Sequence, residues 1–198
     1  MVKKEKRAFP RVDIYIIMCI AISFGGWLFE VIGRFLVYGV LGDRGFLNLP
    51  LCPIYGTSLL LIYLLMGTPQ KPERLGEGLL RRYMGRGGIG RIVSFFVYFL
   101  VAALLPTLAE LAVGGIFKLL GKPLWDYSGL PFNLFGVICL YFSLLWGVLI
   151  TLFMWLLWGR MYRALERIPR GIVSAAASLG ALLVIADFIL TVVISMGG

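Results

Sequence analysis

Apolar residues in this chain form long unbroken runs instead of recurring at helical or strand spacing. Four runs, Ile14–Val37, Ile92–Phe117, Leu134–Trp158 and Ile172–Ser195, exceed 20 residues each. That is enough for a helix to cross a hydrocarbon core about 30 Å thick. A fifth run, 49–66, has its dense part in Pro53–Met66 and is short unless Leu47–Cys52 contributes, so it predicts a broken or re-entrant segment. Together they predict an all-α integral membrane protein, a single transmembrane domain over 1–198 with about five helices. The first run contains Glu30 and Arg34 and lacks a small-residue cleavage site, which argues against a removable signal peptide.

Polar positions between the runs set the expected orientation. Lys3, Lys4, Lys6, Arg7 and Arg11 precede the first run. Lys71, Arg74, Arg81, Arg82, Arg86 and Arg91 follow the second, and Arg160, Arg163, Arg167 and Arg170 follow the fourth. Fifteen of the 19 basic residues thus fall on one side. The positive-inside rule makes that side cytoplasmic, with the C-terminus outside, as in an inner (cytoplasmic) membrane protein.

Composition narrows the chemistry. Of 198 residues 60% are apolar and 15% charged, with a mean hydropathy of +0.93, well outside the range of soluble domains. The absence of histidine excludes a Ser-His-Asp triad and any imidazole metal site within these residues. No cofactor, metal site or enzymatic centre is expected. The net charge of +9 sits between apolar runs, facing anionic lipid and not nucleic acid. Gly85–Gly90 matches G-x-G-x-x-G formally but lacks a βαβ frame, and reads as a basic surface linker. Cys19, Cys52 and Cys139 follow no metal-binding spacing; free thiols are the default, and a Cys52–Cys139 disulfide is the alternative.

Three carboxyls lie inside the runs. Glu30, Glu110 and Asp187 stand at similar depth, roughly 22–27 Å from the cytoplasmic start of their helices. Each belongs to a stripe of small residues: Ser23, Gly26 and Gly33; Ala103, Thr107 and Gly114; Ala176, Gly180 and Thr191. The fourth run offers Gly136, Ser143, Gly147 and Thr151. Such stripes mark helix–helix contacts, so the acids are expected to face the bundle as a shared site for a cation, proton or headgroup. Arg34, one turn beyond Glu30, offers the competing structural reading of an ion pair.

An offset of 80 residues places Glu30 on Glu110 and Gly56 on Gly136. This suggests two parallel helical-hairpin repeats followed by a C-terminal helix. The outer connections, Asp43–Gly56 and Trp125–Asn133, carry Arg44, Asn48, Tyr55, Asp126, Tyr127 and Asn133. With Ser143 and Trp146 these complete the expected substrate or ion path, and an Arg44–Asp126 pair is the simplest clasp between the halves.

The segments Gly26-Trp27-Leu28-Phe29-Glu30, Arg44-Gly45-Phe46-Leu47, Pro53-Ile54-Tyr55-Gly56, Trp125-Asp126-Tyr127-Ser128, Pro131-Phe132-Asn133 and Ile138-Cys139-Leu140, with Ser143 and Trp146-Gly147, resemble the CmpB family of ABC-transporter type IV membrane proteins. Asp43 and Leu49 depart from that family's usual asparagine and glycine. The resemblance implies a permease subunit with a cytoplasmic ABC ATPase partner, working as a homo- or hetero-oligomer. It also implies a coupling helix, for which Glu73–Tyr83 with Leu75, Leu79 and Leu80 is the candidate; a basic helix lying on the membrane is equally good physics. Two other classes stay open: a membrane-embedded enzyme acting on lipid headgroups, and a non-catalytic assembly or sensor protein.

Overall fold

A computed structural model describes residues 11–39, 47–72 and 87–197. They are mostly helical, and four helices are long and apolar enough to span a bilayer: Val12–Leu36, Gly88–Leu119, Leu140–Glu166 and Arg170–Ile194. Pro53–Met66 is a shorter apolar helix. The chain divides into two compact units, one from residues 1–57 and 161–198, the other from 58–160.

The first unit pairs α1 (Val12–Tyr38) with α6 (Arg170–Gly197). Gly180 makes their approach possible, since a methyl group there would stand 2.7 Å from Ile20 Cδ1. Ile14, Met18 and Ile22 on α1 and Val173 and Ala177 on α6 are buried, while most other faces of both helices remain apolar and exposed, as lipid contact requires. α1 stops at Gly39, whose φ of 68° suits the left-handed cap that glycine adopts without strain.

The segment 47–52 is not helical. It forms a strap leading into α2 (Pro53–Met66), whose first turn belongs to this unit. Pro53 opens the helix at the position where a missing N–H costs nothing. The Cys52 N–H donates to the Ser23 carbonyl (3.0 Å), close to the middle of α1. α2 therefore begins halfway along its neighbour. Its 14 residues rise only about 21 Å, and the strap before it bends tightly, the Leu51 N–H donating to the Leu49 carbonyl at 2.7 Å. The fifth run is thus a broken segment, a non-helical strap followed by a helix confined to Pro53–Met66.

The second unit is built on α3 (Gly87–Leu119) packed against α4 (Leu140–Phe153). A side chain on Gly147 would meet Ala103 Cβ and Phe99 Cε2, both at 2.8 Å. α4 passes through a π-helical turn (Met154–Trp158) into α5 (Gly159–Glu166). The helix expected over Leu134–Trp158 is thus displaced. Residues 133–139 form a small antiparallel hairpin, β3 (Asn133–Leu134) on β4 (Ile138–Cys139), because Asn133 and Gly136 supply turn chemistry that a hydropathy run conceals. A second hairpin, β1 (Gly67–Thr68) on β2 (Lys71–Pro72), follows α2.

The glycines aligned by the 80-residue offset adopt different roles. Gly56 is packed inside α2, whereas Gly136 sits in the β3–β4 turn at a φ of 65°. All three cysteines are free thiols, so the Cys52–Cys139 disulfide is not formed.

Candidate functional site

Two of the three carboxyls belong to the first unit, and both hold the strap and the start of α2. Asp187 accepts from the Leu49 N–H (Oδ2, 2.9 Å) and from Asn48 Nδ2 (Oδ1, 3.0 Å). The same Asn48 amide also donates to Thr191 Oγ1 at 2.9 Å, one turn farther along α6. Glu30 Oε1 accepts from the Tyr55 hydroxyl at 2.9 Å. Backbone that leaves helical form at membrane depth must find partners within the protein. Here Asp187 and the Ser23 carbonyl supply them, and Leu47, Leu51 and Cys52 close the strap with buried apolar contacts.

Close approach of α1 and α2 depends on glycine at two levels. A methyl group on Gly56 would collide with the Cys19 carbonyl oxygen, and one on Gly26 with the Tyr55 ring. These contacts seat Tyr55 against α1 and direct its hydroxyl at Glu30. The Ser23, Gly26 and Glu30 face is therefore a packing face, as the stripe predicts, while Gly33 has open space beside it.

The expected Glu30–Arg34 ion pair is not made. Among the described residues the one ion pair is Arg11–Asp13, at 2.8 Å. Arg34 is half-buried on α1 and lies beyond reach of Glu30, whose acceptor is taken by a neutral phenol. Arg44 lies outside the described residues, and with it the Arg44–Asp126 clasp; Glu73–Tyr83 lies outside them as well.

The third carboxyl belongs to the second unit. Glu110 Oε1 accepts from the Trp146 indole N–H at 3.0 Å, linking α3 to α4. Both transmembrane glutamates thus meet an aromatic donor, although the donors are not equivalent under the 80-residue offset, which would put Phe135 in place of Tyr55. Ser143 is buried and turned back onto its own helix, donating to the Cys139 carbonyl at 3.2 Å.

The polar residues of the second connection bind their own loop. Asp126 Oδ1 accepts from the Ser128 hydroxyl (2.6 Å) and backbone N–H (2.9 Å). The Ser128 hydroxyl, then its N–H, and more weakly the charge of Lys118 hold the Asp126 carboxyl below the usual carboxylate range. Asn133 donates to the Leu130 carbonyl (2.7 Å) and accepts from the Gly136 N–H (3.0 Å). The Tyr127 N–H reaches the Gly136 carbonyl (2.8 Å), and its ring stacks on Phe142 at 4.9 Å. Trp125 Nε1 and Lys118 Nζ donate to the carbonyls of Val137 and Phe135, both at 2.7 Å.

Sequence reading missed a polar cluster at the other end of this unit. Gln70, in the β1–β2 turn, donates to the Trp155 carbonyl (2.7 Å) inside the π-helical turn. Buried Tyr98 donates to the Gly67 carbonyl at 3.0 Å. Thr68-Pro69-Gln70 was the available signal, a turn sequence directly after an apolar run.

The sequence pattern of the CmpB family, described as "Putative ABC-transporter type IV", matches residues 17–192, and the chain belongs to that family. Neither the curated proteins nor the solved structures contain a match.

Proposed function

We propose that the chain is a permease subunit of an ABC-type transporter, and that α1, α6 and the strap form the movable wall of its substrate path. Family membership over 17–192 supports the transporter class. The observation that carries the finer reading is the fastening of the strap by Asp187 and of Tyr55 by Glu30. Each link is a carboxyl held by a neutral donor. Hydrogen bonds of this kind between membrane segments are worth about 0.6 kcal/mol on average, so they can open and close at little cost. A cation, proton or polar substrate group that binds Asp187 or Glu30 competes directly with the strap.

Five segments are few for a permease, so the working unit contains a second copy or another membrane subunit, in an inner membrane with the N-terminus cytoplasmic. The β1–β2 hairpin, bonded to α3 and to the π-helical turn, then lies on the ATPase side. Affinity purification from native membranes in mild detergent, with mass spectrometry, tests the proposal. A stoichiometric ATP-binding subunit is the expected result. Recovery of the chain by itself, as a homo-oligomer with bound lipid, would overturn it.

A further inference from the structure

The β3–β4 hairpin is turned inside out relative to a loop built for water. Lys118, Trp125, Asp126, Ser128 and Asn133 all spend polar atoms on the loop's own backbone or side chains. Its large apolar side chains point outward instead: Phe132 is 70% exposed, Phe135 72% and Leu134 47%. Both phenylalanines hold a φ of 57°, the left-handed region that costs a residue with a side chain roughly 1–2 kcal/mol. A glycine or asparagine would take that conformation more easily.

The position of the hairpin identifies what covers these rings. It lies beside the last turns of α3: Lys118 reaches the Phe135 carbonyl, and Gly114 faces Val137 and Trp125. Ile116 and Leu119 of those same turns are exposed and apolar, as lipid-facing positions of a spanning helix are. At the other arm, the Phe132 ring meets Tyr141 edge-on at 6.0 Å, and Tyr141 with Leu140 and Leu144 forms the exposed flank of α4. The apolar lip is continuous with helix surfaces that already face the bilayer.

We propose that Phe132, Leu134 and Phe135 insert into the lipid leaflet at the C-terminal end of α3, so that the hairpin is a rigid wedge in that leaflet. The internal hydrogen bonds fix the backbone, and lipid contact offsets the strain at the two phenylalanines. This inference does not depend on the transporter reading.

The test places a nitroxide on Phe135→Cys in the full chain, reconstituted in phosphatidylcholine vesicles. Lys122→Cys, on an exposed residue of the same connection, is the aqueous reference, and the labelled parent chain is the blank. Relative to position 122, the label at 135 should collide several-fold more with oxygen than with a water-soluble nickel chelate. Equal access of the chelate at both positions would overturn the proposal. So would shielding from both reagents with spin–spin broadening that vanishes on dilution with unlabelled chain, because a second copy would then cover the lip. Where Phe135→Cys fails to accumulate, Phe135→Trp in brominated lipid replaces it: added quenching over the parent supports insertion, and its absence overturns it.

Discussion

Asp187 meets a backbone demand where no paired strand is at hand. Replacing it with alanine leaves the Leu49 N–H without its acceptor and the Asn48 amide with Thr191 alone, at a cost of about 1–3 kcal/mol. Asp187→Asn keeps an acceptor oxygen, so a detergent melting series should rank the parent above Asp187→Asn and that above Asp187→Ala. Glu30 is the better position for separating stability from activity. Glu30→Gln still accepts from Tyr55, and the protein should accumulate normally while transport is lost; failure to accumulate would favour a purely structural role. Gly56→Ala drives a methyl group into the Cys19 carbonyl. Overpacking of this kind costs about 1–3 kcal/mol, visible as a lower melting temperature and faster proteolysis.

Among the elements, the hairpins and the π-helical turn carry most of the information that hydropathy cannot. Residues 134–139 are as apolar as the helix that follows, so composition runs them together, and only Asn133 and Gly136 mark the turn. The π turn arises within an ordinary apolar run, and nothing in Met154-Trp155-Leu156-Leu157-Trp158 announces it. Gln70→Ala removes the donor to its Trp155 carbonyl. Hydrogen exchange should then accelerate around 154–158 while α3 stays protected. For the β3–β4 loop the expected pH dependence has a definite sign. Asp126 is held below its usual range by Ser128, so its stabilising contribution persists at neutral pH and is lost as pH falls through that lowered value. A proteolysis profile of the loop should therefore be flat around neutrality and steepen only in strong acid.

At the scale of the whole molecule, the long spans were legible because a bilayer imposes a length on apolar runs, and four of them stand as helices. The small-residue stripes likewise pointed at true packing faces, as Gly26, Gly114, Gly147 and Gly180 show. What the acids touch was not legible. Asp187 meets Asn48 across 139 positions and Glu110 meets Trp146 across 36, and no local pattern encodes such pairs. Arg34 beside Glu30 offered an obvious local partner, and tertiary packing chose Tyr55 instead. The proposed orientation is open to a direct check: single cysteines placed at Lys122 and Arg163 should react with impermeant reagents from opposite faces of sealed vesicles.

The strap also imposes an order on synthesis. A helix of only 14 residues makes α2 a weak insertion signal, and the strap above it cannot rest in lipid until its amides are satisfied. Its acceptor, Asp187, lies 138 positions farther along the chain and is translated long after it. Until the 138 residues from Leu49 to Asp187 have been made, the strap is expected to wait in the aqueous interface. A nascent chain arrested before α6 should expose a cysteine at Asn48 to aqueous reagents, and release of the full chain should shield it. Synthesis of α6 is thus expected to act as a checkpoint for a segment translated long before it.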